Sequence, residues 1–206
     1  MRIGIYGGTF SPVHNGHVAA ARAFMEQMWL DILYVIPTGT APHKVMQSGV
    51  SDADRLEMLR LAFAGIDGVI ISDMEMKRTG KSYTVDTLRA LTREGDRLFL
   101  LLGTDMMLTL DQWREPEEIF RLSYPVYVRR ESDKTIDGEI VKKIADYNQR
   151  FGKVVRRIVS PAVEVSSTEV RRAAASGLPI GDMVPPAVAD YIRDHQLYRE
   201  VKADGQ

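Results

Sequence analysis

Two histidines in the first part of the chain are the residues best placed to do chemistry. His14 and His17 lie three positions apart, where a short apolar run ends and residues recurring at helical spacing begin. Residues three apart on a helix share a face, so both imidazoles can face one ligand. Gly7 and Gly8 come just before them and let the backbone approach that ligand closely. The N–H groups of a helix start attract anions, so this junction is predicted to bind phosphate.

A plain turn, a zinc site and the two common nucleotide motifs fit this segment less well. A glycine pair alone can form a tight turn, and a zinc site would be poorly supplied by 4 His and no Cys. Residues 80–82, Gly-Lys-Ser, end like a Walker phosphate loop, but Glu75 stands where that loop needs a glycine. The glycines at positions 4, 7 and 8 lack the spacing of a dinucleotide fingerprint. A glycine and histidine loop for a nucleoside triphosphate is the interpretation left.

A second phosphate-binding segment is predicted later in the chain. Ser166 and Glu169 have the spacing of a capping box at a helix start, which leaves Ser167 and Thr168 available to phosphate oxygens. Arg171 lies four residues after Ser167 and projects on the same side, where its planar guanidinium can bind two oxygens. Alone, the segment would be an ordinary capped helix with surface arginines. With the histidine loop, it becomes the second side of a triphosphate clamp.

The elements that must position these residues follow from the hydrophobic pattern. Apolar runs of strand length alternate with segments of helical period, which predicts a doubly wound, Rossmann-like α/β domain with a mainly parallel sheet. In such a sheet ligands bind outside the carboxyl ends of the strands, where the glycine loop, residues 38–44 and residues 103–105 fall. The candidate strands are residues 3–6, 33–36, 69–72, 98–102, 125–128 and 154–159.

One helix between these strands can be placed from its capping signal. Ser51 and Asp54 have capping-box spacing at its start. The helix that follows is predicted to turn Leu56, Leu59 and Phe63 toward the core.

Composition agrees with a single globular domain. The chain has 206 residues, 45% of them hydrophobic, and a formal net charge of −1. We expect one domain over residues 1–200 and a flexible tail at 201–206. The near-neutral charge argues against nucleic-acid binding, and neither a targeting leader nor an apolar run of the ~18 residues that span a membrane is evident. A cytoplasmic protein without disulfides is expected, and a homo-oligomer is compatible with the sequence.

Four segments in the same order resemble the nucleotidylyltransferase superfamily, and within it the bacterial nicotinate mononucleotide adenylyltransferases. They are residues 7–17, 42–44, 102–105 with Trp113, and 165–171. Two positions depart from the pattern of that family. Ser11 stands where an Asp or Asn is usual, and Glu-Ser at 131–132 stands where many relatives have Pro-Gly.

The resemblance implies that the chain binds ATP together with Mg²⁺, which keeps several of its waters and needs no protein-based metal site. His14 and His17 would donate to the α- and β-phosphates, and Arg171 would complete the catalytic set. Ser167 and Thr168 would hold the β- and γ-phosphates, and backbone near Val165 would contact adenine. The implied ATP-binding residues are Gly7, Gly8, Thr9, Phe10, His14, His17, Gly103, Asp105, Val165, Ser166, Ser167, Thr168 and Arg171.

The resemblance also implies that the acceptor is nicotinate mononucleotide. Backbone amides around Thr84 would receive the nicotinate carboxylate, since an anion is favoured at a helix start. Trp113 would stack on the pyridine ring, and Asp105 would bind ribose hydroxyls. The implied acceptor-binding residues are Thr9, His43, Lys44, Thr84, Asp105, Trp113 and Arg129.

A direct transfer mechanism is expected because no nucleophile with an adjacent base is evident in the sequence. The acceptor phosphate, already an anion at neutral pH, would attack the α-phosphorus itself. Positioning can supply ~7–11 kcal/mol, against ~3–5 kcal/mol for acid–base help, so orientation and electrostatics should dominate. The open alternatives are adenylyl transfer to phosphopantetheine, cytidylyl transfer to an alcohol phosphate, and nucleotide sensing without turnover.

Overall fold

Six parallel strands form one sheet in the computed structural model, which describes residues 1–39, 50–129, 136–161, 163 and 165–199. The strands are β1 (Arg2–Gly8), β2 (Ile32–Pro37), β3 (Val69–Ile71), β4 (Arg97–Gly103), β5 (Ser123–Val128) and β6 (Arg156–Ile158). Their order across the sheet is β3-β2-β1-β4-β5-β6, and every neighbouring pair is parallel. The predicted α/β class and parallel sheet are confirmed, although the last strand is shorter than its predicted range of 154–159.

Helices connect the strands and cover both faces of the sheet. They are α1 (Asn15–Met28), α2 (Asp52–Phe63), α3 (Thr84–Leu91), α4 (Thr104–Leu108), α5 (Pro116–Leu122), α6 (Asp137–Phe151), α7 (Ser167–Ala175) and α8 (Pro186–Asp194). A 3-10 turn spans Leu110–Gln112. Across the described ranges, no helix combines the length and the apolar character needed to span a membrane.

Two hydrophobic cores lie on opposite faces of the sheet, because successive residues of a strand point in opposite directions. Leu33 and Val35 of β2 belong to one core, which α1, α2, α7 and α8 cover. Ile36 of the same strand and Leu98 of β4 belong to the other, which α3, α5 and α6 cover. This double covering explains why the strand sequences are apolar almost without interruption.

The helix predicted after Ser51 is present, and so is its capping box with Asp54. Leu59 and Phe63 are buried as predicted. The inward prediction is wrong for Leu56, which is only partly buried. Its neighbour Arg55 is fully buried instead, because its position four residues before Leu59 lies on the core-facing side of α2.

The strand order reverses between β1 and β4, and this reversal defines where a ligand can enter. The chain moves from β1 outward to β2 and β3, then returns to the other side of β1 with β4. A crevice opens at the carboxyl ends of two strands whose connections run in opposite directions. Tyr6 pairs with Leu101 in register, so the ends of β1 and β4 reach the same edge together.

Candidate active site

The two histidines are arranged by the start of α1. His14 is the N-cap residue, and its backbone N–H donates a hydrogen bond to Nδ1 of His17 at 3.2 Å. The centroids of the two imidazole rings are 3.6 Å apart, and both residues are buried. Because Nδ1 of His17 accepts this hydrogen bond, the ring proton of the neutral imidazole is assigned to Nε2. His17 therefore carries a donor for a ligand in the cavity that it lines.

A cavity of about 330 Å³ lies at the carboxyl ends of β1 and β4. It brings together six of the predicted ATP-binding residues, and three residues that the sequence analysis missed also line it. The predicted residues are Gly7, Gly8, Phe10, His17, Gly103 and Asp105, and the missed ones are Tyr6, Leu101 and Met106.

The two glycines at the end of β1 serve different purposes. A Cβ atom on Gly7 would meet no other atom within 4 Å, so the absent side chain leaves room in the cavity that Gly7 lines. A Cβ on Gly8 would lie 3.0 Å from the ring of Phe10, so glycine there lets that ring pack inward. Phe10 is buried edge-on against Tyr6 and His17. The ring of Phe10 therefore packs the histidine loop against β1 and α1.

The two predicted sides of the clamp meet directly. Ser167 Oγ donates a hydrogen bond to the carbonyl of Pro12 at 2.9 Å, across 155 residues of sequence. Arg171 Nη1 donates to the carbonyl of Ser11 at 2.7 Å. The histidine loop and the start of α7 are thus hydrogen-bonded to one another.

The start of α7 has the capping box predicted from its sequence. The hydroxyl of Ser166 accepts from the Glu169 amide at 3.2 Å, and the Glu169 carboxylate accepts from both the amide and the hydroxyl of Ser166 at 2.7 Å. These hydrogen bonds, with that from the hydroxyl contributing most, lower the pKa of Glu169. Arg171 Nη2 lies 3.1 Å from Thr168 Oγ1, so Thr168 and Arg171 face the same way.

A second cavity of about 360 Å³ contains the acceptor residues predicted around α3 and the 3-10 turn. Thr84, the first residue of α3, and Trp113, which follows the 3-10 turn, both line it. The sequence analysis did not single out Tyr83 or Arg114 as lining residues. The guanidinium of Arg114 lies 4.5 Å from the centroid of the Tyr83 ring, within cation–π range. The cavity therefore combines aromatic surface, a helix start and a cation.

The remaining predicted residues are placed as follows. Arg129 follows β5 and forms an ion pair with Asp137. Val165 is partly buried next to the N-cap of α7, and Thr9 is exposed at the end of β1. The predicted residues His43 and Lys44 lie outside the described residues.

A fully buried arginine of α2, Arg55, forms hydrogen bonds with the loop that follows β1. Arg55 Nη1 donates to the carbonyl of Thr9, and Nη2 donates to the carbonyl of Thr38, each at 2.7 Å. Nη2 also pairs with Asp52 at 2.7 Å. A buried charge is tolerated only with such partners, so Arg55 ties the segment after β1 to the segment after β2. The position of Arg55, four residues before Leu59 on the same helix face, was the sequence signal that could have predicted its burial.

Tyr198, beyond α8, reaches the same loop from the end of the described chain. Its hydroxyl lies 3.2 Å from Ser11 Oγ, and the side chain is buried. Burial raises the pKa of Tyr198 to about 12, although the hydrogen bond with Ser11 acts in the opposite direction. Ser11 is thus held by Arg171 through its carbonyl and by Tyr198 through its hydroxyl.

The chain is similar in sequence to known proteins over most of its length. The model of the cytidylyltransferase-like family matches residues 5–173. A probable nicotinate-nucleotide adenylyltransferase of Synechococcus sp. (strain JA-3-3Ab) is 38% identical, and the match covers 96% of this chain and 94% of that protein. A protein of the same description from Citrifermentans bemidjiense is 36% identical, with 98% of this chain and 100% of that protein covered.

Solved structures share the fold at lower identity. The Plasmodium falciparum nicotinic acid mononucleotide adenylyltransferase complexed with NaAD has a TM-score of 0.76 and 22% identity, over 96% of this chain and 97% of that one. The same enzyme complexed with APC has a TM-score of 0.73 and 21% identity, with 96% of each chain covered. At these identities, the likeness shows a common fold.

Proposed function

The chain belongs to the cytidylyltransferase-like family, and from that premise we propose that it transfers the adenylyl group of ATP to nicotinate mononucleotide. The products are nicotinate adenine dinucleotide and pyrophosphate, a step of NAD biosynthesis. One observation carries the proposal within that family. Residues 103–114 form one continuous segment. At its start, Gly103 and Asp105 line the cavity that contains His17, and at its end, Trp113 and Arg114 line the second cavity. The segment therefore connects a cavity suited to a triphosphate with a cavity suited to an aromatic ring that bears a carboxylate.

The transfer is a direct displacement at the α-phosphorus of ATP. An oxygen of the mononucleotide phosphate forms the new P–O bond as the bond to the pyrophosphate oxygen breaks. The attacking phosphate is already an anion at neutral pH, so the reaction needs no general base. The enzyme must instead bring two anions together and stabilise the charge that develops on pyrophosphate, and positioning alone can contribute ~7–11 kcal/mol.

The phosphate-binding roles are assigned to the two sides of the clamp. His14 and His17 donate to the α- and β-phosphates, and the assignment of the His17 proton to Nε2 supports this role. Ser167, Thr168 and Arg171 hold the β- and γ-phosphates. Ser167 does so through its backbone N–H at the start of α7, since its hydroxyl proton is donated to Pro12. The hydrogen bonds from Ser167 and Arg171 to the histidine loop support a preorganised clamp, because they set the spacing of its two sides without a ligand.

The acceptor roles are assigned to the second cavity. The backbone N–H groups at the start of α3, around Thr84, receive the nicotinate carboxylate, and the indole of Trp113 stacks on the pyridine ring. Asp105 accepts hydrogen bonds from ribose hydroxyls. Arg129 neutralises the mononucleotide phosphate, together with Lys44 from outside the described residues.

The divalent metal enters with ATP as part of that substrate. We propose Mg²⁺, which prefers phosphate oxygens and water and binds proteins through few carboxylates. Among the residues that the structure describes, Asp105 is the carboxylate residue that lines the cavity containing His17. A single carboxylate within this described lining agrees with a metal ion that is held mainly by the triphosphate.

An acceptor panel tests the proposed function. The protein is incubated with ATP and Mg²⁺ plus nicotinate mononucleotide, nicotinamide mononucleotide or phosphopantetheine, and with CTP plus an alcohol phosphate, while pyrophosphate release is followed. We expect the fastest release with nicotinate mononucleotide. Faster release with phosphopantetheine or the CTP pair would replace the proposal with that transfer, and ATP binding without release would indicate a sensor.

We infer one domain over residues 1–200, a cytoplasmic location, and neither nucleic acid nor membrane as a partner. Light scattering on the purified chain measures whether it forms a homo-oligomer.

A further inference from the structure

We propose that Asp111 is a positioning residue for the acceptor: it anchors the segment that carries Trp113 to α6 and thereby keeps the indole in its cavity. The inference rests on the proposed function, because it concerns binding of the mononucleotide. Asp111 lies outside both cavities, in the 3-10 turn Leu110–Gln112.

The carboxylate of Asp111 accepts hydrogen bonds from three side chains of α6. Lys143 Nζ lies 2.8 Å from Oδ2, Arg150 Nη1 lies 3.1 Å from Oδ2, and the Tyr147 hydroxyl lies 3.1 Å from Oδ1. The side chain of Asp111 is only 13% exposed. Burial raises the pKa of Asp111, but the hydrogen bonds from Lys143, Tyr147 and Arg150 outweigh it, so that pKa lies below its usual value.

Tyr147 makes this anchor rigid. Its side chain is fully buried, and its ring packs against those of Phe120 and Phe151 with centroids 5.0 and 5.9 Å away. Its single hydroxyl proton is shared between the carbonyl of Met107 at 2.9 Å and Asp111 Oδ1 at 3.1 Å, and its oxygen accepts a hydrogen bond from the Asp111 amide at 3.3 Å. One hydroxyl in a packed core therefore contacts both α4 and the 3-10 turn.

One residue, Gln112, separates Asp111 from Trp113, so the anchor lies next to the cavity in the sequence. Trp113 follows the 3-10 turn directly, and its N–H donates to the carbonyl of Leu110 at 3.2 Å. Trp113 and Asp111 thus belong to one hydrogen-bonded turn, so a shift of that turn moves the indole. Stacking requires the indole at a defined place, so a shift of the turn weakens binding of the pyridine ring.

The test uses Asp111→Asn, which keeps the shape of the side chain and removes its charge. A Trp29→Phe background makes Trp113 the sole fluorophore of its kind, since the chain has 2 Trp and Trp29 is 79% exposed. We expect the KM for nicotinate mononucleotide to rise about tenfold, while the KM for ATP and kcat stay within about twofold. Quenching of Trp113 fluorescence by the mononucleotide should shift to higher concentration by the same factor.

Asp146→Asn is the matched control. Asp146 lies on α6 and pairs with the same Arg150 at 3.0 Å, so this ion pair stays within α6. An unchanged KM in Asp111→Asn, or an equal rise in Asp146→Asn, would overturn the proposal. Tyr147→Phe keeps the packed ring, removes the hydroxyl, and should raise the same KM, so it carries the test if Asp111→Asn fails to fold. Failure of the proposed function looks different, because the parent protein would then release no pyrophosphate with the mononucleotide.

Discussion

Arg171 donates a hydrogen bond to the carbonyl of Ser11 at 2.7 Å, across 160 residues of sequence. This contact joins the start of α7 to the histidine loop and turns two separate motifs into one clamp. The guanidinium keeps further N–H donors that can reach phosphate oxygens, because it has five in all. The contact therefore orients the group that is proposed to stabilise the leaving pyrophosphate.

Arg171→Ala should lower kcat by about 10²–10³-fold, the usual effect of losing a donor that acts on developing charge. The KM for nicotinate mononucleotide should change little, because Arg171 is assigned to ATP. Steady-state pyrophosphate release measures both. Arg172→Ala removes an exposed neighbour on the same helix and should behave like the parent protein. Equal losses in the two variants would contradict the role of Arg171.

His17→Ala should reduce turnover far more than it weakens ATP binding, because the Nε2 donor acts mainly as charge moves between the phosphates. Single-turnover kinetics and calorimetric titration with an ATP analogue separate the two quantities. His195→Ala is the control, since His195 is exposed and stacks on Tyr191 of α8. An unchanged turnover in His17→Ala would remove this residue from the chemistry.

Arg55→Met should lower the free energy of unfolding by ~3–5 kcal/mol, because it removes a fully buried guanidinium that donates to the carbonyls of Thr9 and Thr38 and pairs with Asp52. Urea denaturation gives this value directly. Arg60→Met removes an arginine of the same helix that is 57% exposed, so its effect should stay within about 0.5 kcal/mol. Similar values for the two variants would show that Arg55 is not a structural tie.

Tyr198 should make the protein sensitive to alkaline pH. Burial raises its pKa to about 12 in the folded chain, whereas an unfolded tyrosine titrates at about 10. Its contribution to stability is therefore complete below pH ~10 and is lost as the pH rises toward ~12, by about 1.4 kcal/mol per unit. Urea denaturation at several pH values should show a shallower decline for Tyr198→Phe. Parallel curves for the variant and the parent protein would contradict the prediction.

Arg114→Gln should weaken the preference for nicotinate over nicotinamide mononucleotide by about 3- to 5-fold, a size expected of an exposed charge. Arg114 lines the second cavity, where its cation favours the acid over the neutral amide. The ratio of kcat/KM for the two acceptors measures the effect. Arg121→Gln removes an equal charge that pairs with Glu118, whereas Arg114 pairs with Glu115, so this variant should leave the ratio unchanged. A loss of preference in both variants would point to net charge alone.

Local sequence patterns predicted the sheet because buried parallel strands leave a continuous apolar signal. They also predicted both capping boxes, since Ser51 with Asp54 and Ser166 with Glu169 satisfy a rule that spans only four residues. They further predicted that the glycine loop and residues 103–105 lie at the same edge, because the carboxyl ends of parallel strands share one edge of a sheet. They did not predict the order of the strands, since several orders are compatible with parallel pairing.

The polar contacts of Arg55 and Tyr198 with distant elements were not predicted. Arg55 is charged, so a hydrophobic pattern assigns its neighbour Leu56 to the core. In the structure, hydrogen bonds to the carbonyls of Thr9 and Thr38 keep Arg55 buried instead. Tyr198 and Ser11 meet only after the whole sheet has formed. Such partners depend on tertiary geometry, which periodicity does not record.

The meeting of Ser11 with Arg171 also has a consequence for protein synthesis. A ribosome adds about 5–20 residues per second, so the 160 residues between them take roughly 10–30 s to translate. A nascent chain carries both histidines long before the guanidinium that completes their site emerges. A polypeptide whose translation stops before α7 would contain all six strands and both histidines, but it would lack the arginine that is proposed to complete the ATP site.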